Sequence, residues 1–318
     1  MSRCWLLAAA VLWAGSASAG RSAGAASLII GKLPVGVRAI GLSGAYSAVA
    51  GEPAAVYWNP AGLGRVERRR IEINHIEQGE AIRMENILGA VPLIMGGTIG
   101  AGMSFMSQPP IVETLENASG DMVRTGRSIN VYEYKGAVAY GQDLGKLAPV
   151  PELGDLWNLG SLGATVTVLG EQLGDVSAAS VSLDLGYMYD DPNEGRSAGV
   201  VVRQIGTPAH GRPVPVTGQA GVGQYIKNIL WTFDVLTAVD DSMRLRGGLE
   251  WSHPFGPSTV ALRGGIQHSF SSALLAPYTV GLTYKLVLEN SFDFSFEYAF
   301  MPVRGLEDLH ALSVSIGL

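Results

Sequence analysis

The chain has 318 residues, a net charge of −6 and only 16% charged residues, whereas 42 residues are glycine. The acidic balance, with scattered basic residues, argues against a nucleic-acid surface. The five histidines are dispersed and never take the spacing of a helical metal site, and no nucleophile elbow or phosphate loop is present. We therefore predict that the protein is not an enzyme and holds no metal or cofactor.

Residues 1–19 have the pattern of a signal peptide. Arg3 supplies the positive start, an apolar core runs from Trp5 to Trp13, and Ala17-Ser18-Ala19 forms a cleavage site. The single cysteine, Cys4, lies inside this peptide, so the mature chain has no disulfide chemistry. No later stretch approaches the roughly 18 to 20 apolar residues of a spanning helix. Any membrane crossing must therefore use strands.

The next segment, residues 20–64, is rich in glycine and alanine between positions 36 and 63 and carries few charges. We call it the N-terminal segment. Its composition predicts one or two very short helices that need surrounding walls to fold. At its end Asn59 can cap a turn, Pro60 fits the first helical position, and Gly62 can close the turn in the left-handed region. Asn59-Pro60-Ala61-Gly62 is thus predicted to be one fixed turn.

From Val66 onward the chain has strand-length stretches separated by polar or Pro/Gly turns, which is the rhythm of transmembrane strands. We predict fourteen strands, at about residues 66–76, 81–91, 97–107, 129–141, 159–171, 178–190, 196–206, 213–224, 228–238, 242–252, 257–268, 276–287, 290–301 and 308–318.

Alternation with a period of two supports these strands. In the thirteenth strand Phe292, Phe294 and Phe296 share one face, opposite Asp293 and Ser295. A soluble sandwich shows the same alternation, so the pattern alone does not distinguish a soluble sandwich from a membrane barrel. The combination of a signal peptide, many long strands and a last strand at the terminus favours an outer-membrane barrel.

The long connections are 108–128, 144–158 and the shorter 207–213, and long loops of such barrels lie outside the cell. A spanning sheet must also close, because lipid cannot satisfy open edges, so the last strand should pair with the first.

Three spaced motifs carry a family resemblance. They are Pro34-x-Gly36-x-Arg38-Ala39-x-Gly41, Gly44-Ala45-Tyr46-x-Ala48-Val49-Ala50 and Ala55-x-Tyr57-x-Asn59-Pro60-Ala61-Gly62-Leu63. The set resembles the N-terminal signature of PorV/PorQ-like outer-membrane proteins, relatives of FadL-type channels for hydrophobic compounds. Gln204 departs from the family, which usually has asparagine there.

The resemblance implies an all-β, antiparallel outer-membrane barrel, residues 65–318, with the N-terminal segment folded back into its lumen as a plug. The plug motif would comprise Gly36, Arg38, Gly41, Gly44, Tyr46, Asn59, Pro60, Ala61 and Gly62.

The predicted inward face of the barrel carries charges of both signs, which suits a lumen in which buried charges are paired. These residues are Glu133, Lys135, Asp184, Arg203, Asp234, Arg244, Arg246, Glu250, Arg263, Lys285, Asp293 and Glu297. They could pair with one another and dock the plug, or serve conduction. Arg38 is the plug residue suited to reach a wall carboxylate such as Glu250 or Glu297.

Three functions remain open at this stage, and the resemblance together with the chain length favours the first. The first is a PorV/PorQ-type accessory or carrier that binds exported proteins or a secretion assembly. The second is a FadL-like passive channel for hydrophobic small molecules such as fatty acids or aromatic hydrocarbons. Its pocket would be lined by Tyr46, Val49, Val56, Tyr57 and Trp58. The third is a purely structural barrel, and in every case outer-membrane lipid surrounds the protein.

Overall fold

The computed structural model describes residues 28–79, 82–147, 159–209, 211–239, 241–270, 278–288, 292–303 and 307–318. The predicted signal peptide, residues 1–19, lies outside the described residues.

The described part of the chain forms fourteen strands that close into one antiparallel barrel, with β1 paired to β14. The strands are β1 (Arg70–Gln78), β2 (Ile82–Pro92), β3 (Gly97–Glu116), β4 (Met122–Asp143), β5 (Ser161–Leu173), β6 (Val176–Asp191), β7 (Arg196–Gly206), β8 (Thr217–Ile226), β9 (Ile229–Ala238), β10 (Asp241–Phe255), β11 (Ser258–Ser269), β12 (Tyr278–Leu288), β13 (Phe292–Met301) and β14 (Leu309–Gly317). The predicted fold class and strand number are confirmed.

The two faces of the barrel differ in polarity as the alternation predicts. Along β13 Phe292, Phe294 and Phe296 point outward and are exposed, while Asp293 and Ser295 point inward and are buried. The same outward face on other strands presents Ile73, Ile87, Val138, Val166, Leu185, Leu249, Leu262 and Leu312. Within the described ranges, no helix is both long and apolar enough to cross a bilayer.

Connections alternate between the two ends of the barrel because every strand is antiparallel to the next. We call the end at which β3 joins β4 the arm end, because these two strands continue beyond their neighbours as a long hairpin arm. The other end, at which β1 begins and β14 finishes, is the terminal end.

One predicted loop is corrected. Residues 108–128 are mostly strand: β3 and β4 stay paired out to Glu116 and Met122, with irregular register after Gln108. Cross-strand bonding therefore continues where the prolines suggested a loop. The predicted loop 144–158 starts from the end of β4 at the terminal end, opposite the arm, and its residues 148–158 lie outside the described residues.

The N-terminal segment forms short helices, as its composition predicts. They are α1 (Val37–Gly41) and α2 (Ala55–Trp58), with 3-10 turns at Ile29–Gly31 and Pro60–Arg65. Helix α1 contacts β11 to β14, whereas the Pro60–Arg65 turn contacts β3 to β6. Most of its described residues are buried, and they form the core of the molecule with inward side chains of the wall.

Inward-facing glycines of the wall allow the N-terminal segment to approach closely. A Cβ atom at Gly163 would lie 2.2 Å from the carbonyl carbon of Pro60. At Gly199 it would lie 2.1 Å from the Ser47 carbonyl oxygen. The segment backbone also comes close at Gly141 and Gly265, at 2.5 and 2.6 Å. At Gly186 the Asn59 side chain takes the space of a Cβ. The wall therefore has no side chains where the backbone of the segment passes.

We expect Gly163→Ala to destabilise the barrel by about 1–3 kcal/mol, because the new methyl group overpacks a rigid backbone contact. The midpoint of heat-modifiable gel migration measures this. Gly136→Ala on the outward face is the matched control, since a Cβ there meets nothing within 4 Å. Equal midpoints for the two variants would contradict the close contact.

Candidate functional site

The Asn59 to Gly62 turn fixes the N-terminal segment to the wall. The Asn59 side chain accepts a hydrogen bond from the Ala61 amide at 3.2 Å. It donates to the Ser47 carbonyl at 2.7 Å and to the Tyr187 carbonyl of β6 at 3.2 Å. Asn59 therefore caps the turn, as predicted, and also joins it to another part of the segment and to the barrel.

Gly62 serves a different purpose from the one predicted. Its backbone is not left-handed. A Cβ there would lie 1.6 Å from the Ala50 carbonyl oxygen, so close packing within the segment requires glycine. The left-handed conformations of the motif occur at Gly36, with φ +87°, and at Gly44, with φ +74°. Gly41 instead packs against Gly281 of β12.

Asp234 of β9 holds the bend at Tyr46 and Ser47. Its Oδ2 atom accepts hydrogen bonds from the Tyr46 amide at 3.1 Å and from the Ser47 amide at 2.9 Å. Gln219 donates to the same oxygen at 2.6 Å and to the Gly44 carbonyl at 2.9 Å. Sequence analysis identified Asp234 as an inward charge but missed Gln219, whose only signal is its inward position in β8.

Arg38 forms the main ion pairs between the segment and the wall. Its Nε and Nη2 atoms contact the two carboxylate oxygens of Glu250, each at 2.9 Å. Arg263 also contacts Glu250, at 2.5 Å, and lies 3.7 Å from Glu297. Burial lowers the pKa of Arg38, but the carboxylates of Glu250 and Glu52 outweigh it and leave the pKa raised. Arg38 is therefore a permanent charge whose Glu250 partner is one of the two candidates named from sequence.

The other predicted lumen charges also point inward. Asp184 accepts from the Gln204 amide at 2.6 Å, and Lys285 pairs with Asp293 at 3.4 Å. Arg246 donates to the Gly44 carbonyl at 3.3 Å. The structure thus uses these groups both among themselves and to hold the N-terminal segment.

A β-bulge in β7 turns two consecutive side chains toward the segment. The register shifts between Leu183 and Leu185 of β6, opposite Arg203 and Gln204. Gln204 is left-handed, with φ +61°, a conformation that asparagine adopts more readily. The longer Gln204 side chain reaches the Gly31 carbonyl at 2.6 Å, and Arg203 reaches the Tyr57 carbonyl at 3.0 Å.

Trp58 and Tyr57 are held by cations and backbone groups. The Trp58 indole donates to the Val35 carbonyl at 2.6 Å, and the guanidinium carbons of Arg203 and Arg246 lie 5.4 Å and 5.9 Å from its ring centre. The Lys135 ammonium lies 4.6 Å from the Tyr57 ring. Burial raises the pKa of the Tyr57 hydroxyl, which therefore stays protonated. Such cation–π contacts fix the two rings in place.

A cavity of about 330 Å³ lies beside these two rings, toward the arm end. Part of its wall comes from the N-terminal segment, at residues 31–35 together with Tyr57 and Trp58. Apolar wall residues on its lining are Leu169, Leu236, Ala238, Met301, Val303 and Leu309. Basic residues of the wall, including Lys135 and Arg203, supply polar edges.

Of the five residues predicted to line a ligand pocket, Tyr57 and Trp58 border this cavity. Tyr46, Val49 and Val56 do not line the cavity. The Tyr46 hydroxyl donates to Glu52 at 3.2 Å, Val49 packs near Gly223, and Val56 packs near Gly100. The segment is too tightly bent for all five side chains to share one face.

A second cavity, of about 590 Å³, opens toward the terminal end. Its lining is rich in charge and includes Arg38, Glu52, Glu250, Arg263 and Glu297. The two cavities therefore differ chemically: the arm-end cavity combines apolar and aromatic surface with several basic side chains, whereas the terminal-end cavity is lined mainly by charged and polar groups.

We expect Glu250→Gln to destabilise the protein by about 3–5 kcal/mol, because it leaves two buried guanidinium groups without their shared carboxylate. Thermal unfolding in detergent measures the change. Glu194→Gln is the control, since Glu194 pairs with Arg196 at the exposed surface, where ion pairs contribute about 1 kcal/mol or less. Similar losses for both variants would show that Glu250 does not hold the segment.

Comparisons with known proteins identify the fold. No protein-family model matches the chain, and no curated protein is similar to it. Among solved structures, the TodX deltaS2S3 mutant monoaromatic hydrocarbon channel aligns with a TM-score of 0.61 at 9% identity, over 89% of this chain and 98% of that one. The CymD monoaromatic hydrocarbon channel gives 0.57 at 12% identity, over 92% and 98%.

A Pseudomonas aeruginosa FadL homologue gives a TM-score of 0.53 at 9% identity, over 94% of this chain and 99% of that one. At such identities the likeness concerns the fold alone. The relation to PorV/PorQ proteins stays a prediction, and the chain has the fold of the FadL-type hydrophobic channels.

Proposed function

We propose that this protein is an outer-membrane channel for small hydrophobic molecules, which bind in the arm-end cavity. The observation that carries the proposal is the cavity itself, a space with apolar and aromatic surface and basic edges that the N-terminal segment and the barrel wall form jointly. Its volume of about 330 Å³ lies in the range of pockets that take small molecules.

The exterior supports the membrane location. A closed sheet with an apolar outward face satisfies its backbone without water, which is the condition for spanning lipid with strands. Because extended hairpins of such barrels face the outside, we assign the end with the β3–β4 arm to the extracellular side and the terminal end, from which the β4–β5 connection also starts, to the periplasm. Export through a signal peptide, residues 1–19, is part of the same proposal.

The ligand class follows from the lining. Leu169, Leu236 and Leu309 offer apolar surface, and the Trp58 ring is held rigidly by Arg203 and Arg246. A flat or chain-like apolar molecule gains free energy by leaving water for such a surface. Structures of similar fold include channels named for monoaromatic hydrocarbons, so toluene is the first probe to use.

We expect Leu169→Trp to abolish toluene binding by filling the cavity, measured as loss of the toluene adduct in native mass spectrometry. Val168→Trp is the matched control, because the neighbouring side chain points to the exterior of the same strand and should leave the adduct intact. Both variants should keep heat-modifiable migration. Toluene binding to a folded Leu169→Trp protein would contradict the assigned site.

The arm favours a second candidate function, the accessory or carrier of PorV/PorQ type. Beyond the barrel it exposes apolar side chains, among them Ile111, Val112, Leu115, Met122 and Val123. A protruding apolar hairpin suits contact with an exported protein or a secretion assembly.

Shortening the arm tests this candidate. Removal of residues 111–128 should abolish co-purification of a stoichiometric protein partner from the native membrane while toluene binding persists. Absence of any such partner from the full chain would remove this candidate and leave the channel proposal standing.

A further inference from the structure

The charges of the terminal-end cavity lie in two layers. Strands β1 and β13 both begin at the terminal end, so residues later in each strand lie deeper. On β13 Glu297 lies four residues deeper than Asp293. On β1 Glu72 lies two residues deeper than Arg70. Lys285 of β12 is opposite the residue midway between Asp293 and Glu297. We call Arg70, Lys285 and Asp293, nearer the opening, the outer layer.

The inner layer has an excess of negative charge. Arg38 pairs with Glu52 and with Glu250, each at 2.9 Å. Arg263 pairs with the same Glu250 at 2.5 Å and with Glu297 at 3.7 Å. These two guanidinium groups serve three carboxylates, and a fourth carboxylate of the layer remains. The residues of the inner layer, all of which line the cavity, are Arg38, Glu52, Glu72, Glu250, Arg263 and Glu297.

Glu72 is that fourth carboxylate. It is 6% exposed and forms no ion pair with another described residue. The carboxylates of Glu52 and Glu297 lie close enough to repel its charge. Arg70 acts on Glu72 as well, but this guanidinium is bonded to Asp293 at 2.6 Å. A buried carboxylate without a paired cation is costly, so Glu72 favours a cation that enters the cavity.

The outer layer has an excess of positive charge. Asp293 accepts a hydrogen bond from Arg70 at 2.6 Å and pairs with Lys285 at 3.4 Å, so two cations share one carboxylate. The Lys285 side chain is 35% exposed. Three further charged residues line this end, of which one acid balances one base and the other base is paired outside the cavity: Glu67, Arg68 and Arg65.

The inner layer suits an ammonium group. Its carboxylates at Glu52, Glu72 and Glu297 come from three separate elements, the N-terminal segment, β1 and β13. In the described ranges no set of acidic or histidine side chains is arranged to hold a metal ion. An ammonium group donates three hydrogen bonds and can therefore serve more than one carboxylate. By the same reasoning the outer layer suits a carboxylate.

The distance between the two layers sets the length of a ligand that bridges them. A strand rises about 3.3 Å per residue, so two to four residues correspond to about 7–13 Å. An extended peptide of three residues spans about 10 Å. Hydroxyl groups of Ser252 and Thr259 also line the cavity and can bond peptide groups between the two ends. The cavity volume of about 590 Å³ is in the range of small-molecule pockets.

We propose that the terminal-end cavity binds a short peptide, as a zwitterion whose ammonium and carboxylate groups lie about 10 Å apart. The ammonium group enters first and contacts Glu72, between Glu52 and Glu297. The carboxylate group stays nearer the opening, against Lys285 and Arg70. A ligand with a single charge satisfies only one of the two layers. This site is separate from the toluene site and does not rest on the channel proposal.

Isothermal titration calorimetry of the detergent-extracted protein with triglycine tests the proposal. N-acetyl-triglycine lacks the ammonium group and triglycine amide lacks the carboxylate, so each should bind about tenfold more weakly than triglycine. Glu72→Gln should weaken the binding of triglycine by a similar factor but leave that of N-acetyl-triglycine unchanged. Lys285→Gln should weaken triglycine in the same way but leave triglycine amide unchanged.

Glu116→Gln is the matched control, since it makes the same change of charge on the exposed arm and should bind triglycine as the wild type does. The proposal is overturned if the wild type binds no triglycine, or if either blocked peptide binds as tightly as triglycine. Wild-type affinity in a folded Glu72→Gln protein, the result expected if Glu72 carries a proton, overturns it as well. The toluene adduct of the Glu72→Gln protein should persist, which separates this test from that of the channel proposal.

Discussion

The close approach of the N-terminal segment to the barrel wall is the constraint on which the rest of the structure depends. A barrel of fourteen strands is wider than its own side chains can fill, so something else must occupy the lumen. On one side the backbone of the segment does so, because Gly141, Gly163 and Gly199 carry no Cβ in its path. The position of the segment decides which parts of the lumen stay open as cavities. The two cavities lie toward opposite ends of the barrel.

Ion pairs and hydrogen bonds to carboxylates hold the segment in addition to close packing. The segment brings Arg38 into the lumen, and Glu250 receives both that guanidinium and the one of Arg263. Asp234 accepts hydrogen bonds from two backbone amides at the bend of the segment. A buried carboxylate is costly when alone, so these contacts make the inserted position of the segment specific. The cluster of Arg38, Glu250 and Arg263 lies toward the terminal end, whereas the rings of Tyr57 and Trp58, with the basic side chains beside them, lie toward the arm end.

The barrel could be predicted from sequence because its signal is local. Alternation such as Phe292, Asp293, Phe294 fixes the face of each residue without knowledge of its partners. The inward charges followed from the same rule. The arm could not be predicted, because the prolines after Gln108 resemble a loop boundary while pairing with β4 continues past them.

The site could be predicted only in part because it depends on contacts between distant residues. Glycines of the wall have no side chain to mark their role, and their partners in the segment are more than 30 residues away in sequence. Arg38 and Glu250 are 212 residues apart, and only the folded register brings them together. Tyr46 resembled a pocket residue, yet the bonds of its amide to Asp234 and of its hydroxyl to Glu52 turn it from the cavity. Gln204 was recognisable in the sequence as a departure from the family, but its left-handed backbone conformation was not.

The measurement that tests the central claim most directly is a crystal structure of the protein soaked with bromobenzene, in which anomalous scattering locates the bromine. We predict a bromine position inside the arm-end cavity, between Trp58 and Leu169. Bromine found only on the lipid-facing exterior, or absent from a cavity that the crystal leaves open, would contradict the claim that the N-terminal segment and the wall together form a binding site for hydrophobic molecules.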